Sequence, residues 1–241
     1  MEGPTPVSAL IHAATMVTAG VFLLLRLGSL FQVSLNLQYL IVCVGLLTMF
    51  FAASVALFQS DIKKVIAYST CSQLGYMVVA CGLSFYGAAF FHLLTHAFFK
   101  ALLFLCAGAV IHFFNDEQDM RRMGGIVVYV PFVFVSMVIA SFALLGFPFT
   151  SGYYSKDRLL ELFFLSDTQA SFFIFLVGIF VACMTSFYSF RLLYLVFLNK
   201  PAGYTFNYSF PHKLDPRMFF VFLILAFFSM FFGFFYQKHF P

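Results

Sequence analysis

The residues with chemistry to offer are few, and they sit where charge is expensive. His92, His96 and Lys100 recur every four residues within Phe90-Phe91-His92-Leu93-Leu94-Thr95-His96-Ala97-Phe98-Phe99-Lys100-Ala101-Leu102-Leu103-Phe104, a stretch apolar enough to cross a bilayer. On a helix, positions i, i+4 and i+8 stack along one face and drift slowly round the axis. Placing a lysine at the centre of a membrane helix costs roughly 2.5–3.5 kcal/mol on insertion scales, so such a residue is a functional-site candidate by default. Three readings fit the stripe. Two imidazoles four residues apart can share a metal ion, although a membrane di-iron enzyme calls for further histidine boxes or carboxylates, and the third group here is a lysine. Alternatively, each histidine only hydrogen-bonds between packed helices. The third reading is a proton relay. Neutral imidazole takes a proton on one nitrogen and releases it from the other, with an unperturbed pKa of about 6.5, and a buried lysine can cycle between charged and neutral forms as neighbouring charge dictates. His12, within Ser8-Ala9-Leu10-Ile11-His12, and the pair Lys156-Asp157 are the other ionisable groups in or beside apolar sequence that bear on this choice.

The elements that must position these groups are membrane helices. Of 241 residues, 63% are hydrophobic and 9% charged, against about 25% charged in soluble domains. Apolar runs of about 20 residues recur without strict alternation, which selects helices over a β-barrel. The expected fold is therefore an all-α polytopic membrane protein. Spans are predicted over about 7–25, 38–58, 65–83, 87–114, 127–145, 170–198 and 218–236. Gly146-Phe147-Pro148-Phe149-Thr150-Ser151-Gly152 interrupts the fifth, and a short amphipathic piece follows over about 153–165. Proline inside an apolar helix unwinds it, and unwound backbone at membrane depth survives only inside protein or beside a water-filled cavity. Broken helices of this kind are a recurring device at transporter ion sites.

Composition narrows the rest. There are 39 Phe and no Trp, a bias that fits an AT-rich organellar gene and leaves Tyr to anchor helix ends. Cys43, Cys71, Cys81, Cys106 and Cys183 show no CxxC or metal-ligand spacing and read as buried, inert thiols. The first residues, Met1-Glu2-Gly3-Pro4, lack the basic region of a cleavable signal. The net charge of +4 comes without a basic patch interleaved with exposed aromatics, so nucleic acid is not an expected partner. Connections after the second, fourth and sixth spans hold Lys63, Lys64, Arg121, Arg122, Lys200, Lys213 and Arg217, against Arg26, Lys156, Arg158 and Lys238 on the other side. The first side, with the N-terminus, is expected to face the cytoplasm or matrix. Asn115-Asp116-Glu117-Gln118-Asp119 beside Arg121 and Arg122 reads as a solvated connector.

Several of these motifs together resemble a known family. The run from Glu2-Gly3-Pro4-Thr5-Pro6 through His12 to Gly20 is similar to the eighth helix of the subunit 5 family of NADH dehydrogenase, the distal antiporter-like subunits of respiratory complex I. Asp61-Ile62-Lys63-Lys64-Val65-Ile66-Ala67-Tyr68-Ser69-Thr70, Thr95-His96-Ala97-Phe98-Phe99-Lys100-Ala101, Asn115 to Met120 and Tyr153-Tyr154-Ser155-Lys156-Asp157 match further family motifs in order. The similarity covers about residues 1–198, leaving 199–241 as a loop and a last transmembrane helix of one membrane domain. The resemblance implies a proton-translocating subunit of the multi-pass mitochondrial inner membrane that binds no cofactor itself; FMN, iron–sulfur clusters and quinone are expected elsewhere in the complex. It places His12, His92 and His96 on a hydrophilic axis, Lys100 at its centre, and Lys156-Asp157 on the broken helix in the terminal half-channel. In family terms the chain is the second inverted repeat of the antiporter-like fold. Helices with a further Lys and Glu precede this region in a complete subunit, so the chain is expected to be a separately encoded or truncated piece. Its expected partners are membrane lipid, other membrane-arm subunits and a separate chain supplying the missing helices. A subunit of a multi-subunit cation/proton antiporter and a non-pumping structural piece of the membrane arm are the alternatives.

Overall fold

The computed structural model describes residues 3, 5–166, 168–200 and 216–237, without the side chains of residues 6, 12–14 and 216. Every regular element among them is helical, as the apolar runs require. The first span enters through a turn, Thr5–Ser8, continues as a π-helical stretch, Ala9–Thr15, and ends in α1, Met16–Arg26. After a single turn at Gly28–Phe31 come α2 (Leu35–Phe58), α3 (Ile62–Gly82) and α4 (Tyr86–Phe113). Next are α5 (Pro131–Leu145), α6 (Arg158–Leu165), α7 (Ser171–Leu193) and α8 (Pro216–Tyr236), with α7 prolonged by a π-helical turn, Tyr194–Leu198. Among the described residues six segments are long and apolar enough to cross a membrane, and Pro131–Leu145 is a shorter apolar helix.

The fifth span begins later than expected. Gly125 takes a left-handed φ of 70° and a 3-10 turn occupies Ile126–Val128, so the helix starts only at Pro131. A proline in the first helical turn gives up no hydrogen bond and brings its φ ready set.

The arrangement inverts the usual rule for soluble proteins. The least apolar span, α3, is also the most buried, at 78% of its window, whereas the strongly apolar α8 is 17% buried. Lipid accepts apolar side chains at no cost, so the polar positions are the ones driven inward. Small residues let α3 approach α2 closely: a Cβ on Gly75 would stand 2.8 Å from the Met49 backbone, and Gly45 packs against Val79. All five thiols are free, but only Cys81 and Cys106 are buried. Cys43, Cys71 and Cys183 lie on exposed faces, which corrects the expectation that all five are buried.

The basic connections gather at one end of the bundle. Ile62 N–H donates to the Gln118 carbonyl at 3.1 Å and Met120 N–H to the Ser60 carbonyl at 3.0 Å, an isolated antiparallel bridge between Asp61 and Asp119. Gly124 lies against the Lys200 carbonyl, and the Lys63 ammonium donates to the Gly3 carbonyl at 3.2 Å. Lys63 is thus buried in the first turn of α3, where the sequence placed it in a loop. Lys213 and Lys238 lie outside the described residues. The acidic connector is ion-paired: Arg121 meets Asp119 at 2.7 Å, Arg122 meets Glu117 at 3.2 Å and Lys64 meets Asp61 at 2.8 Å. Exposed pairs of this kind contribute at most about 1 kcal/mol each; their role is to order the bridge.

The Arg121 side-chain hydrogen bond holds the Asp119 carboxyl below the usual carboxylate range, against a smaller opposing effect of burial. A lowered folded value stabilises above the unfolded value of about 3.9 and is lost as pH falls through the folded one. Asp119→Asn is therefore expected to speed amide exchange at Ile62 and Met120 at pH 7, and its difference from the natural chain is expected to shrink as pH falls below the ordinary carboxylate range and Asp119 takes up its proton.

Candidate functional site

The stripe on α4 turns fully inward: His92, His96 and Lys100 are each 0% exposed. Facing it, α3 presents Ser69, Ser72, Gln73 and Tyr76, an i, i+3, i+4, i+7 set of polar side chains that are all buried. A third wall comes from the interrupted fifth span. Gly146 ends α5 in the left-handed region at φ 83°, Phe149 follows at φ 69°, and the helix resumes at Ser151 with a π-helical turn over Tyr153–Asp157 before α6. The two halves meet so closely that a Cβ on Gly152 would overlap the Ala143 carbonyl oxygen. π-turns recur at functional sites because the extra residue re-aims the side chains around it; here the turn buries Ser155 and Lys156 together. The fourth wall is α7, with Thr185, Tyr188 and Ser189 buried one turn apart.

Hydroxyls join these walls. His92 Nδ1 lies 2.9 Å from Ser155 Oγ and Nε2 lies 3.3 Å from Gln73 Oε1, so both ring nitrogens are engaged. Thr95 Oγ1 shares Ser155 Oγ at 2.9 Å and donates to the His92 carbonyl at 3.0 Å. The Lys100 ammonium nitrogen reaches Ser69 Oγ at 2.5 Å. Lys156 Nζ donates to Thr185 Oγ1 at 3.1 Å and to the Leu144 carbonyl at 3.5 Å, and lies 5.8 Å above the Tyr76 ring. Tyr76 is itself fixed by a 2.6 Å bond from its hydroxyl to the Gly178 carbonyl. His96 stands between His92, at 6.2 Å between ring centroids, and the edge of Phe99, at 5.4 Å, and neither of its nitrogens has a hydrogen-bond partner among the described residues.

The structure thus brings His92, His96, Lys100 and Lys156 into one buried polar cluster. Two other candidate residues stand differently. The His12 backbone lies in the π-helical stretch Ala9–Thr15, but its side chain is outside the described residues. Asp157 is half-buried and forms no ion pair with Lys156. Its Oδ1 sits beside Gly146 instead, where a Cβ would come within 3.2 Å, so the carboxylate marks the helix break. Sequence reasoning passed over Ser69, Ser72, Gln73, Tyr76, Thr185, Tyr188 and Ser189. The signal was present in the helical spacing of hydroxyl and amide side chains through two spans, a pattern that lipid-facing surfaces do not carry. A metal centre does not suit the donors. His92 uses both nitrogens in hydrogen bonds, and among the described residues no group of three or more His, Cys, Asp or Glu could hold an ion.

Residues 1–185 match the family model described as NADH:quinone oxidoreductase/Mrp antiporter, transmembrane. The chain belongs to this family. Among its relatives, NADH-ubiquinone oxidoreductase chain 5 of Acanthamoeba castellanii is 53% identical over 98% of this chain and 35% of its own length. Chain 5 of Marchantia polymorpha is 53% identical over 97% of this chain and 35% of its own length. The chain therefore spans about a third of the length of the curated relatives it matches. In the Mrp complex from Dietzia sp. DQ12-45-1b, a chain 28% identical superposes with a TM-score of 0.80 over 95% of this chain and 25% of that one. The antiporter-like architecture is shared at this level.

The close approach at the break yields a direct expectation. Gly152→Ala cannot be accommodated without moving the half-helix, and overpacking of this kind costs about 1–3 kcal/mol. The variant is expected to lower thermal stability in detergent, and Gly146→Ala to do so by about 1–2 kcal/mol through its left-handed φ.

Proposed function

We propose that this chain is a proton-translocating segment of a subunit 5 in respiratory complex I, an NADH:ubiquinone oxidoreductase. The observation that carries the proposal is the burial of Lys100 and Lys156 within one hydroxyl-lined interior, neither with an ion-paired carboxylate among the described residues. A structural lysine inside a membrane protein is ordinarily paired with another ionisable group or with backbone carbonyls. Two lysines held by serine, threonine and a carbonyl oxygen are arranged for protons that come and go.

In this reading His92, His96 and Lys100 form the central relay, His12 its flank, and Lys156 the step toward the membrane surface, with Asp157 at the break. The names of the relatives support placing the chain in the membrane arm of an NADH-oxidising complex. The chain binds no redox group, and FMN, iron–sulfur clusters and quinone act elsewhere in the complex. Its setting is the mitochondrial inner membrane. The end where the 60–62, 118–120 and 199–200 loops meet residue 3 faces the matrix, as its excess of Lys and Arg favours. The likeness to an Mrp complex chain keeps a cation/proton antiporter as the second reading; sodium-dependent transport without quinone-linked activity would favour it.

Lys100→Met removes the protonatable amine and keeps much of the apolar stem. In the assembled complex in sealed membrane vesicles, it is expected to reduce NADH-driven proton pumping by about tenfold or more, the range over which a positioned proton-transfer group contributes. Unchanged pumping would overturn the relay and leave the structural role.

A further inference from the structure

One buried hydroxyl is left over by the network. Tyr188 on α7 is 2% exposed, and its hydroxyl, close to Ser72, Ser69 and Gln73, makes a proper hydrogen bond to none of them. It lies on the wall of a small, partly open and mostly apolar cavity between α3, α4, α5 and α7, with room for about one water, whose polar lining residues are Ser69, Ser141, Tyr188 and Ser189. Burying a hydroxyl without a partner is costly, so its persistence there points to a use.

The position of the cavity shows what the use is. Ser69 accepts from Lys100 at 2.5 Å. Leu144, also on the cavity wall, accepts from Lys156 through its carbonyl at 3.5 Å. Ser189, on the same wall, donates to the carbonyl of Thr185, whose side chain is the other partner of Lys156. The cavity wall therefore includes Ser69, a partner of Lys100, and Leu144, a partner of Lys156. The hydroxyls of Ser69, Ser141 and Ser189 all donate to carbonyls of their own helices, leaving their oxygens as acceptors toward the space. Tyr188 alone on this wall has an O–H uncommitted among the described residues. The histidine branch does not close this gap, because His92 reaches Ser155 and not the Lys156 amine.

We propose that this cavity is the transfer point between Lys100 and Lys156, with Tyr188 as its relay hydroxyl. The inference rests on the relay reading above and specifies its route. In the step, an N–H bond of the Lys100 ammonium breaks as the Ser69 oxygen takes the proton; the Ser69 O–H turns from the Ile66 carbonyl and breaks, and its proton passes through water in the cavity to the Tyr188 oxygen. The O–H bond of Tyr188 breaks on the other side, and that proton passes to the neutral Lys156 amine, where an N–H bond forms. The phenol ends neutral, as it began, and resets by rotating about its C–O bond.

Tyr188→Phe keeps the ring packing and removes only the hydroxyl. It is read beside Lys100→Met in the same assembled complex in sealed vesicles. The expected result is a normally assembled complex whose NADH-driven pumping falls about tenfold or more, with a larger solvent deuterium isotope effect because the interrupted transfer limits turnover. A merely structural role would lower the yield of complex without changing the isotope effect. Ser141→Ala, which removes a hydroxyl of the same wall and adds no bulk, is expected to act in the same direction and carries the test if Tyr188→Phe does not assemble. Natural pumping and isotope effect in these variants, with Lys100→Met inactive, would overturn the route and leave the relay standing; natural pumping in Lys100→Met would overturn the relay itself.

Discussion

A lysine amine held by a serine hydroxyl, deep among membrane helices and with no carboxylate beside it among the described residues, sets the terms for the rest of this structure. Stripping water from an ammonium costs several kcal/mol even after the protein relaxes around it. Nothing in lipid offsets that cost, so each neighbouring helix contributes a polar side chain. Ser69 meets Lys100 from α3. Thr185 and the Leu144 carbonyl meet Lys156 from α7 and the end of α5. The break after Leu145 follows from the same demand. An intact helix would have its carbonyls committed within itself, whereas a helix ended at Gly146 frees the Leu144 carbonyl to face the second lysine.

The same demand explains which spans lie inside. Polar residues at helical spacing on α3 make it the least apolar span and the most buried. Its approach to α2 through Gly75 and Gly45 brings its backbone within contact distance of its neighbour. The outer helices α7 and α8 carry the lipid-facing phenylalanines, with Phe228 and Phe232 packed on Phe98 behind the lysine helix.

The spans and the break were legible in the sequence because each depends on a local signal: run length, Pro148, and the Gly146 and Gly152 that flank it. The stripe on α4 was legible because charge in an apolar run has no bland local explanation. The partners were not. Ser69, Gln73 and Thr185 are ordinary side chains whose importance depends on which helix they face, and a single sequence does not carry that information. Lys156 and Asp157 looked like a pair because they are adjacent, yet the π-turn sends the lysine inward and leaves the carboxylate at Gly146. Lys63 was misplaced for a related reason: a lysine at a helix start reads as solvated unless a distant carbonyl, here that of Gly3, reaches it.

The account turns on Lys100 changing protonation state and not merely carrying charge. Lys100→Arg separates the two, because a guanidinium keeps its charge and does not release its proton in proteins. The measurement is the number of protons pumped per NADH oxidised by the assembled complex bearing this one substitution. The account predicts that the ratio falls although a positive charge remains at the position. A ratio equal to that of the natural complex would show that a fixed charge suffices there, and would contradict it.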